Sequence, residues 1–135
     1  MSQENVEIVR RFMDATSRGD REAVAALIHP EVEWHTMAGP LLGVQVVRGR
    51  EEAVSFIFDG IPEGIENFTA IADRVRELPG DGVLVIGRYE GRGTSSGAKI
   101  EMNSASLWRF DSGKIVFFQD WPSEAEALKA VGLSG

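Results

Sequence analysis

The stretch that decides the fold runs from Gly97 to Trp121 and reads GAKIEMNSASLWRFDSGKIVFFQDW. Two apolar-rich runs in it flank the polar segment 111–113, and this pattern predicts a long β-hairpin. We expect a three-residue turn with Gly113 in the left-handed conformation. Such a turn pairs Ser104 with Asp120 across the two strands.

One face of this hairpin combines a single carboxylate with apolar side chains and small hydroxyls. Because side chains alternate along a strand, a turn one residue shorter or longer would send Asp120 to the opposite face. With three residues in the turn, Asp120 shares its face with Met102, Ser104, Ser106, Trp108 and Phe118. We therefore predict that this face forms one wall of a small-molecule pocket.

Helical patterns precede the strands along the chain. A first helix ends at Gly19, a second covers Arg21–Ile28 between an Asp20 cap and Pro30, and a third covers Arg50–Phe58. Strands are predicted at 31–36, 44–48, 67–78, 83–92, 99–110 and 115–121, and a last short helix follows a capping box at Ser123 and Glu126.

This order predicts an α+β fold in which one domain spans residues 1–135. We expect a cone-shaped, strongly curved sheet, antiparallel with mixed pairing, whose concave face is closed by the three helices of the N-terminal half. At 135 residues the chain is long enough for a single core.

Composition excludes several classes of function. The net charge of −7 repels phosphate backbones, so we expect no nucleic-acid partner. No apolar run is long enough to cross a bilayer, so no membrane partner is expected. The sequence has no cysteine and its first residues do not read as a secretion signal, which favours a cytoplasmic location.

A homodimer is predicted from the last strand. Residues 115–118, Ile-Val-Phe-Phe, are apolar on both faces, whereas a strand with one face in water should alternate. If the helices cover the concave side, a second copy of the chain is the economical cover for the outer face. The Trp121 side of this strand should then be shielded by the partner or by the last helix.

Five short motifs follow one another along the chain: Arg18-Gly19-Asp20, Val32-Glu33-Trp34, Arg48-Gly49-Arg50-Glu51, Asp111-Ser112-Gly113-Lys114-Ile115, and Glu126-Ala127-Leu128 through Gly132-Leu133. In this order they resemble the SnoaL-like group of the nuclear transport factor 2-like superfamily. The resemblance implies a cone of bent sheet, usually dimeric, in a superfamily that includes polyketide cyclases, ketosteroid isomerases, epoxide hydrolases, dehydratases and proteins without catalysis.

The resemblance removes some activities and keeps one. The three functional positions of ketosteroid isomerases fall on Phe12, Ser106 and Thr36. Phe12 cannot donate a hydrogen bond, and neither Ser106 nor Thr36 is a competent base unaided, so steroid-type isomerisation is disfavoured. The penultimate-strand Arg-x-Asp of limonene epoxide hydrolases falls on 104–106, Ser-Ala-Ser. The last-strand acid/base aspartate of SnoaL-like cyclases falls on Asp120.

The candidate site therefore consists of Asp120 and the side chains around it. Desolvation among apolar rings would raise the pKa of Asp120 toward an acid/base value, whereas a purely structural Asp120 would bind a backbone N–H. Ser104 or Ser106 could orient Asp120 or a ligand carbonyl. The residues predicted to bind the ligand, several of which are equally well explained as core, are Phe12, Trp34, Phe56, Tyr89, Met102, Ser104, Ser106, Trp108 and Phe118.

Two further interpretations concern the histidines. Glu33 and His35 share a strand face and could exchange a proton, but Val32 and Trp34 claim the apolar side, which favours a polar outer-face pair. With His29 and His35 as the only histidines and no thiolate, no metal site is predicted.

Two functions stay open. The first is a cofactor-independent cyclase, isomerase, dehydratase or hydrolase that uses Asp120 as general acid/base on a small apolar or polyketide-like oxygenated ligand. The second is a non-catalytic ligand-binding or dimerisation module with the same pocket. A second polar group that converges on Asp120 would distinguish them, and the candidates are Ser104, Ser106, Tyr89 and His35.

Overall fold

A computed structural model describes residues 2–37 and 46–132 of the chain. The helical elements are α1 (Ser2–Ser17), α2 (Arg21–Leu27), α3 (Arg50–Ser55), a π-helical turn (Phe56–Gly60), α4 (Ile61–Gly64), a 3₁₀ turn (Pro79–Asp81) and α5 (Glu124–Ala130). The strands are β1 (Ile28–His35), β2 (Val46–Arg48), β3 (Ile65–Glu77), β4 (Val83–Gly93), β5 (Lys99–Asp111) and β6 (Lys114–Trp121).

The strands form one mixed sheet in the order β2-β1-β6-β5-β4-β3. Neighbours are antiparallel except β1 and β6, which run parallel, with Trp34 opposite Phe118. The helices of the N-terminal half pack on one face of this sheet. The predicted α+β class, with a curved mixed sheet covered by these helices, is confirmed.

The sheet bends where β3 and β4 lose their regular register. The register shifts between Ala72 and Arg74, and directly opposite this bulge lies Gly87. A Cβ atom on Gly87 would lie 1.8 Å from the carbonyl oxygen of Ile71, a distance that no side chain can occupy. The glycine therefore permits the close backbone approach that curves the sheet.

The helix boundaries differ from the sequence prediction at α2. Asp20 caps this helix as predicted, since its side chain accepts a hydrogen bond of 3.0 Å from the Ala23 N–H. The helix ends at Leu27, however, and Ile28 already belongs to β1, which runs through Pro30. Pro30 is thus a strand residue and not the helix terminator that we expected. Proline has no N–H to donate to a neighbouring strand, but a residue near the start of a strand can do without this hydrogen bond, so β1 tolerates Pro30.

The predicted three-residue turn of the hairpin is wrong. Asp111 pairs with Lys114, so the turn has two residues, Ser112 and Gly113. Both have positive φ, 54° and 76°, as in a type I′ turn. This turn matches the right-handed twist of the flanking strands, which explains why it forms even with a serine at a left-handed position.

A β-bulge in β6 cancels the change of face that the shorter turn would otherwise cause for Asp120. Arg109 pairs with Phe117 and Phe110 pairs with Ile115, so Val116 is an extra residue on β6. The extra residue restores the original alternation, and Asp120 still faces the concave side. Its partner across the strands is Ser106, not Ser104 as predicted, and Trp108 pairs with Phe118.

Two apolar clusters lie on opposite faces of the sheet. The larger one fills the space between the concave face and the N-terminal helices and includes Val9, Val24, Val32 and Ile115. The smaller one packs α5 on the outer face of β5 and β6 and includes Leu84, Ala105, Leu107, Ala127 and Leu128. Part of the outer face that we assigned to a partner chain is therefore covered by α5.

Candidate active site

A cavity of about 380 Å³ lies between the concave face of the sheet, the end of α1 and the segment 56–62. Asp120 and all nine side chains predicted to bind a ligand lie on its wall. They are Phe12, Trp34, Phe56, Tyr89, Met102, Ser104, Ser106, Trp108 and Phe118.

Four aromatic rings, which we call the aromatic box, form one part of this wall: Phe12, Trp34, Trp108 and Phe118. Trp34 stacks on Phe118 with ring centroids 4.0 Å apart and 13° between the planes. Trp108 packs edge-to-face against both Phe12 and Phe118, with ring centroids 5.1 Å and 4.9 Å apart. Such a contact network holds the rings in fixed positions, so the box is preformed.

Asp120 is the buried carboxylate of the cavity, with 5% of its surface exposed. Its Oδ2 accepts a hydrogen bond of 2.6 Å from the Tyr89 hydroxyl. Its Oδ1 accepts one of 2.8 Å from the backbone N–H of Met37, which follows β1. Strands β6 and β4 and the chain after β1 therefore converge on one carboxyl group.

The two serines next to Asp120 have separate roles. The Ser104 side chain hydrogen-bonds to the Tyr89 hydroxyl. Ser106, although it lies across from Asp120, accepts a hydrogen bond of 2.9 Å from the Trp108 indole N–H. Ser104 thus supports the tyrosine, and Ser106 fixes a ring of the aromatic box.

Burial controls the protonation of the pair. Loss of solvent raises the pKa of Asp120 above its ordinary value, although the hydrogen bonds from Tyr89 and from the Met37 N–H stabilise the carboxylate and lower this pKa in part. Burial and the negative charge of Asp120 raise the pKa of Tyr89 well above its ordinary value. The tyrosine therefore stays protonated and donates, while Asp120 keeps its proton to a higher pH than an exposed aspartate does.

Several wall residues escaped sequence reasoning. They come from the end of α1, the π-helical turn, α4 and the bulged part of β3, and their sequence offers only short apolar runs without a clear period. The Met37 N–H also escaped, because a backbone donor leaves no mark in a sequence. These missed residues include Met13, Thr16, Ile57, Phe58, Ile61, Ile65, Phe68 and Ala70.

The histidines lie away from the cavity. His35 hydrogen-bonds to Glu33 at 3.2 Å and stacks near Phe117 on the outer face, as the outer-face interpretation expected. His29 contacts the Asp111 carboxylate at 3.4 Å. Within residues 2–37 and 46–132, His, Asp and Glu side chains form no group arranged to hold a metal ion.

The positions that the resemblance singled out lie together in space. Phe12, Thr36 and Ser106 all line the cavity, so the places that carry the isomerase groups are present with different side chains. Tyr89 occupies none of these places. Its bond to Asp120 supplies the second polar group that the sequence left among four candidates.

A family model described as SnoaL-like domain matches residues 9–118. The chain belongs to the SnoaL-like family. Comparison with curated proteins found no match.

No helix in the described part of the chain is long and apolar enough to span a membrane.

Solved structures support this assignment. A nuclear transport factor 2-like protein from Burkholderia thailandensis is 32% identical, with a TM-score of 0.75 over 93% of this chain and 95% of that one. A ketosteroid isomerase-like protein from Catenulispora acidiphila, in complex with trimethylamine, is 21% identical, with a TM-score of 0.72 over 94% and 93%. TerC, co-crystallised with polyporic acid, is 20% identical, with a TM-score of 0.76 over 94% and 96%. The last two show the shared fold.

Proposed function

We propose that this protein binds a small, largely apolar, oxygenated molecule in the cavity and that Asp120 acts on it as a general acid/base without a cofactor. The observation that carries the proposal is the pair of Asp120 and Tyr89 at 2.6 Å on the wall of an otherwise apolar cavity. The hydrogen bonds from Tyr89 and Met37 compensate an ionised Asp120 in part, while burial still raises its pKa, and this combination suits a buried carboxyl group to acid/base use.

Each group near the pair has a role in this proposal. Asp120 takes a proton from the ligand and returns it, and Tyr89 holds the carboxylate in place through its hydrogen bond. Ser104 in turn positions the Tyr89 hydroxyl. The aromatic box packs the apolar part of the ligand. Cyclisation, isomerisation, dehydration and hydrolysis are the reaction classes for which one general acid/base and an apolar binding surface are sufficient.

Relatives offer limited support for ligand binding. TerC was crystallised with polyporic acid and the Catenulispora acidiphila protein with trimethylamine, both small molecules. These proteins share the fold with this chain, and this supports the proposal that the present chain also binds a small molecule.

One observation favours a second function, that of a binding module without catalysis. Each oxygen of Asp120 already accepts a hydrogen bond, one from Met37 and one from Tyr89. A purely structural aspartate that ties the chain after β1 to the sheet would look the same. Kinetics must therefore distinguish the two functions.

The substitution Asp120→Asn separates catalysis from binding. The Asn side chain keeps the shape, accepts from Met37 through its oxygen and donates to Tyr89 through its amide, but it cannot exchange protons. The wild type and this variant are assayed against epoxides, enones and polyketide-like esters. For an enzyme, the variant should keep ligand affinity within about tenfold and lose turnover by about 10²-fold or more.

Glu33→Gln is the matched control, because it removes a carboxylate charge from the outer face of the sheet. It should leave turnover unchanged. Equal turnover in the wild type and Asp120→Asn would remove Asp120 from the mechanism. Binding without turnover of any compound class would favour the binding module.

We also propose that the protein forms a homodimer through the outer face of the last strands. Phe117 and Trp121 are only partly buried there, although α5 covers the neighbouring Ala105 and Leu107. Partly exposed large rings next to a covered apolar cluster are typical of an interface between chains.

A further inference from the structure

We propose that the ligand carries a protonated amine, whose nitrogen binds the Asp120 carboxylate while the attached hydrocarbon packs against the aromatic box. This inference rests on the proposed function, in which the cavity holds a small molecule, and adds the charge of that molecule. An N–H proton, or a C–H proton next to the nitrogen, is then the one within reach of Asp120.

The charges of the cavity wall support this assignment. Among the wall residues that the structure describes, Asp120 carries the one formal charge, and Lys, Arg and His are absent. The undescribed stretch 38–45 has none of these three residue types in its sequence. Over the described ranges, Asp120 also takes part in no salt bridge. A ligand cation would supply the missing counter-charge, whereas a carboxylate or phosphate would meet repulsion in a medium of low dielectric constant.

The carboxylate has room for such a partner. A carboxylate offers about four acceptor sites, two on each oxygen. Met37 and Tyr89 occupy one site on each oxygen of Asp120. The backbone N–H of Asp120 itself also donates to this carboxylate. About one of the four acceptor sites is therefore left for an ammonium N–H, and charge-assisted hydrogen bonds of this kind are among the stronger ones in proteins.

Aromatic rings strengthen the preference for a cation. Eight aromatic side chains line the cavity, and ring faces attract cations by their quadrupole. One wall residue, Phe58, already makes a cation–π contact within the chain, since the Arg21 guanidinium lies 5.7 Å from the centre of its ring. Arg21 itself does not repel a cationic ligand strongly, because its charge is paired with Asp59 through contacts of 2.9 and 2.7 Å.

The test uses three probes with one ring system and different charges: 2-naphthylmethylamine, 2-naphthalenemethanol and 2-naphthoate. Their affinities for the whole protein are measured by calorimetry at neutral pH. We expect the amine to bind at least about tenfold more tightly than the alcohol, and the carboxylate to bind more weakly than the alcohol. An alcohol that binds as tightly as the amine would overturn the proposal, and this comparison needs no variant.

Two variants locate the source of the preference. In Asp120→Asn, the amine and the alcohol should bind within about threefold of each other, because the counter-charge is gone. Asp73→Asn removes an equal charge from an exposed ion pair with Arg88, so it should keep the full preference and control for the net charge of −7. A preference that survives in Asp120→Asn would contradict the proposal. Binding of none of the three probes would contradict the proposed function as well, whereas binding without charge preference would contradict this inference alone.

Discussion

At the scale of single residues, the account depends on the protonation of Asp120. Its pKa in the folded protein lies above the ordinary value of about 3.8, mainly because of burial. A raised folded-state pKa means that the contribution of Asp120 to stability is complete below the unfolded-state pKa and is lost as the pH rises through the folded-state value. Tyr89, the titratable group that hydrogen-bonds to it, stays protonated throughout this range.

The loss of stability with rising pH gives a prediction for Asp120→Asn, which mimics the protonated side chain. The variant should gain stability relative to the wild type as the pH rises from about 4 upward, since only the wild type ionises. Urea unfolding of both proteins at a series of pH values measures the difference. A difference that does not change with pH would show that Asp120 has the same pKa in the folded and unfolded states.

Tyr89→Phe tests the other half of the pair. Because the tyrosine hydroxyl stabilises the ionised carboxylate, its removal should raise the pKa of Asp120 further and lower the free energy of unfolding by about 1–2 kcal/mol. The titration of the Asp120 carboxyl carbon, followed by NMR, reports the pKa. Ser106→Ala is the control, since Ser106 bonds to Trp108 and not to Asp120, and should leave this titration unchanged.

At the scale of elements, the hairpin shows what sequence reasoning can and cannot reach. Apolar periodicity and the turn residues predicted both strands and the inward face of Asp120. The number of residues in the turn and the bulge at Val116 were missed, because nothing in the local sequence distinguishes a regular strand from a bulged one. The two errors cancel, because the shorter turn and the bulge each shift the alternation of side chains by one residue. The predicted face of Asp120 was therefore right, although its predicted pairing with Ser104 was wrong.

The bend of the sheet gives a second prediction at this scale. Gly87→Ala should lower the free energy of unfolding by about 3 kcal/mol or more, because the new Cβ collides with the backbone of Ile71. Gly82→Ala is a matched control, since its Cβ would meet only side-chain atoms, the nearest being Arg109 Nη1 at 3.3 Å. Denaturant unfolding of both variants measures the effect. Equal, small losses would show that β3 and β4 can separate at the bulge without cost.

At the scale of the whole molecule, the sequence predicted the fold class, the members of the cavity wall that lie on β1, β4, β5 and β6, and also Phe12 and Phe56 on the helical side. The order of helices and strands and the family motifs carry that information. The rest of the wall depends on how the π-helical turn and the bulged β3 close over the sheet, which is decided by packing between distant segments.

The proposed homodimer belongs to this scale. Sedimentation at micromolar concentration should give a dimer, and Phe117→Glu should shift it to a monomer, because a charge on the apolar outer face opposes association. Glu101→Gln, at an exposed position of β5, should leave the dimer intact. A wild-type monomer at these concentrations would contradict the proposal.

The central claim is that the cavity beside Asp120 is the working site of the protein. A crystal structure with a small ligand, chosen from those that bind in solution, tests it most directly. We predict that the ligand lies against the aromatic box with a polar atom within hydrogen-bond distance of Asp120 or the Tyr89 hydroxyl. A ligand bound elsewhere, with the hydrogen bonds of Asp120 to Tyr89 and the Met37 N–H unchanged, would contradict the claim.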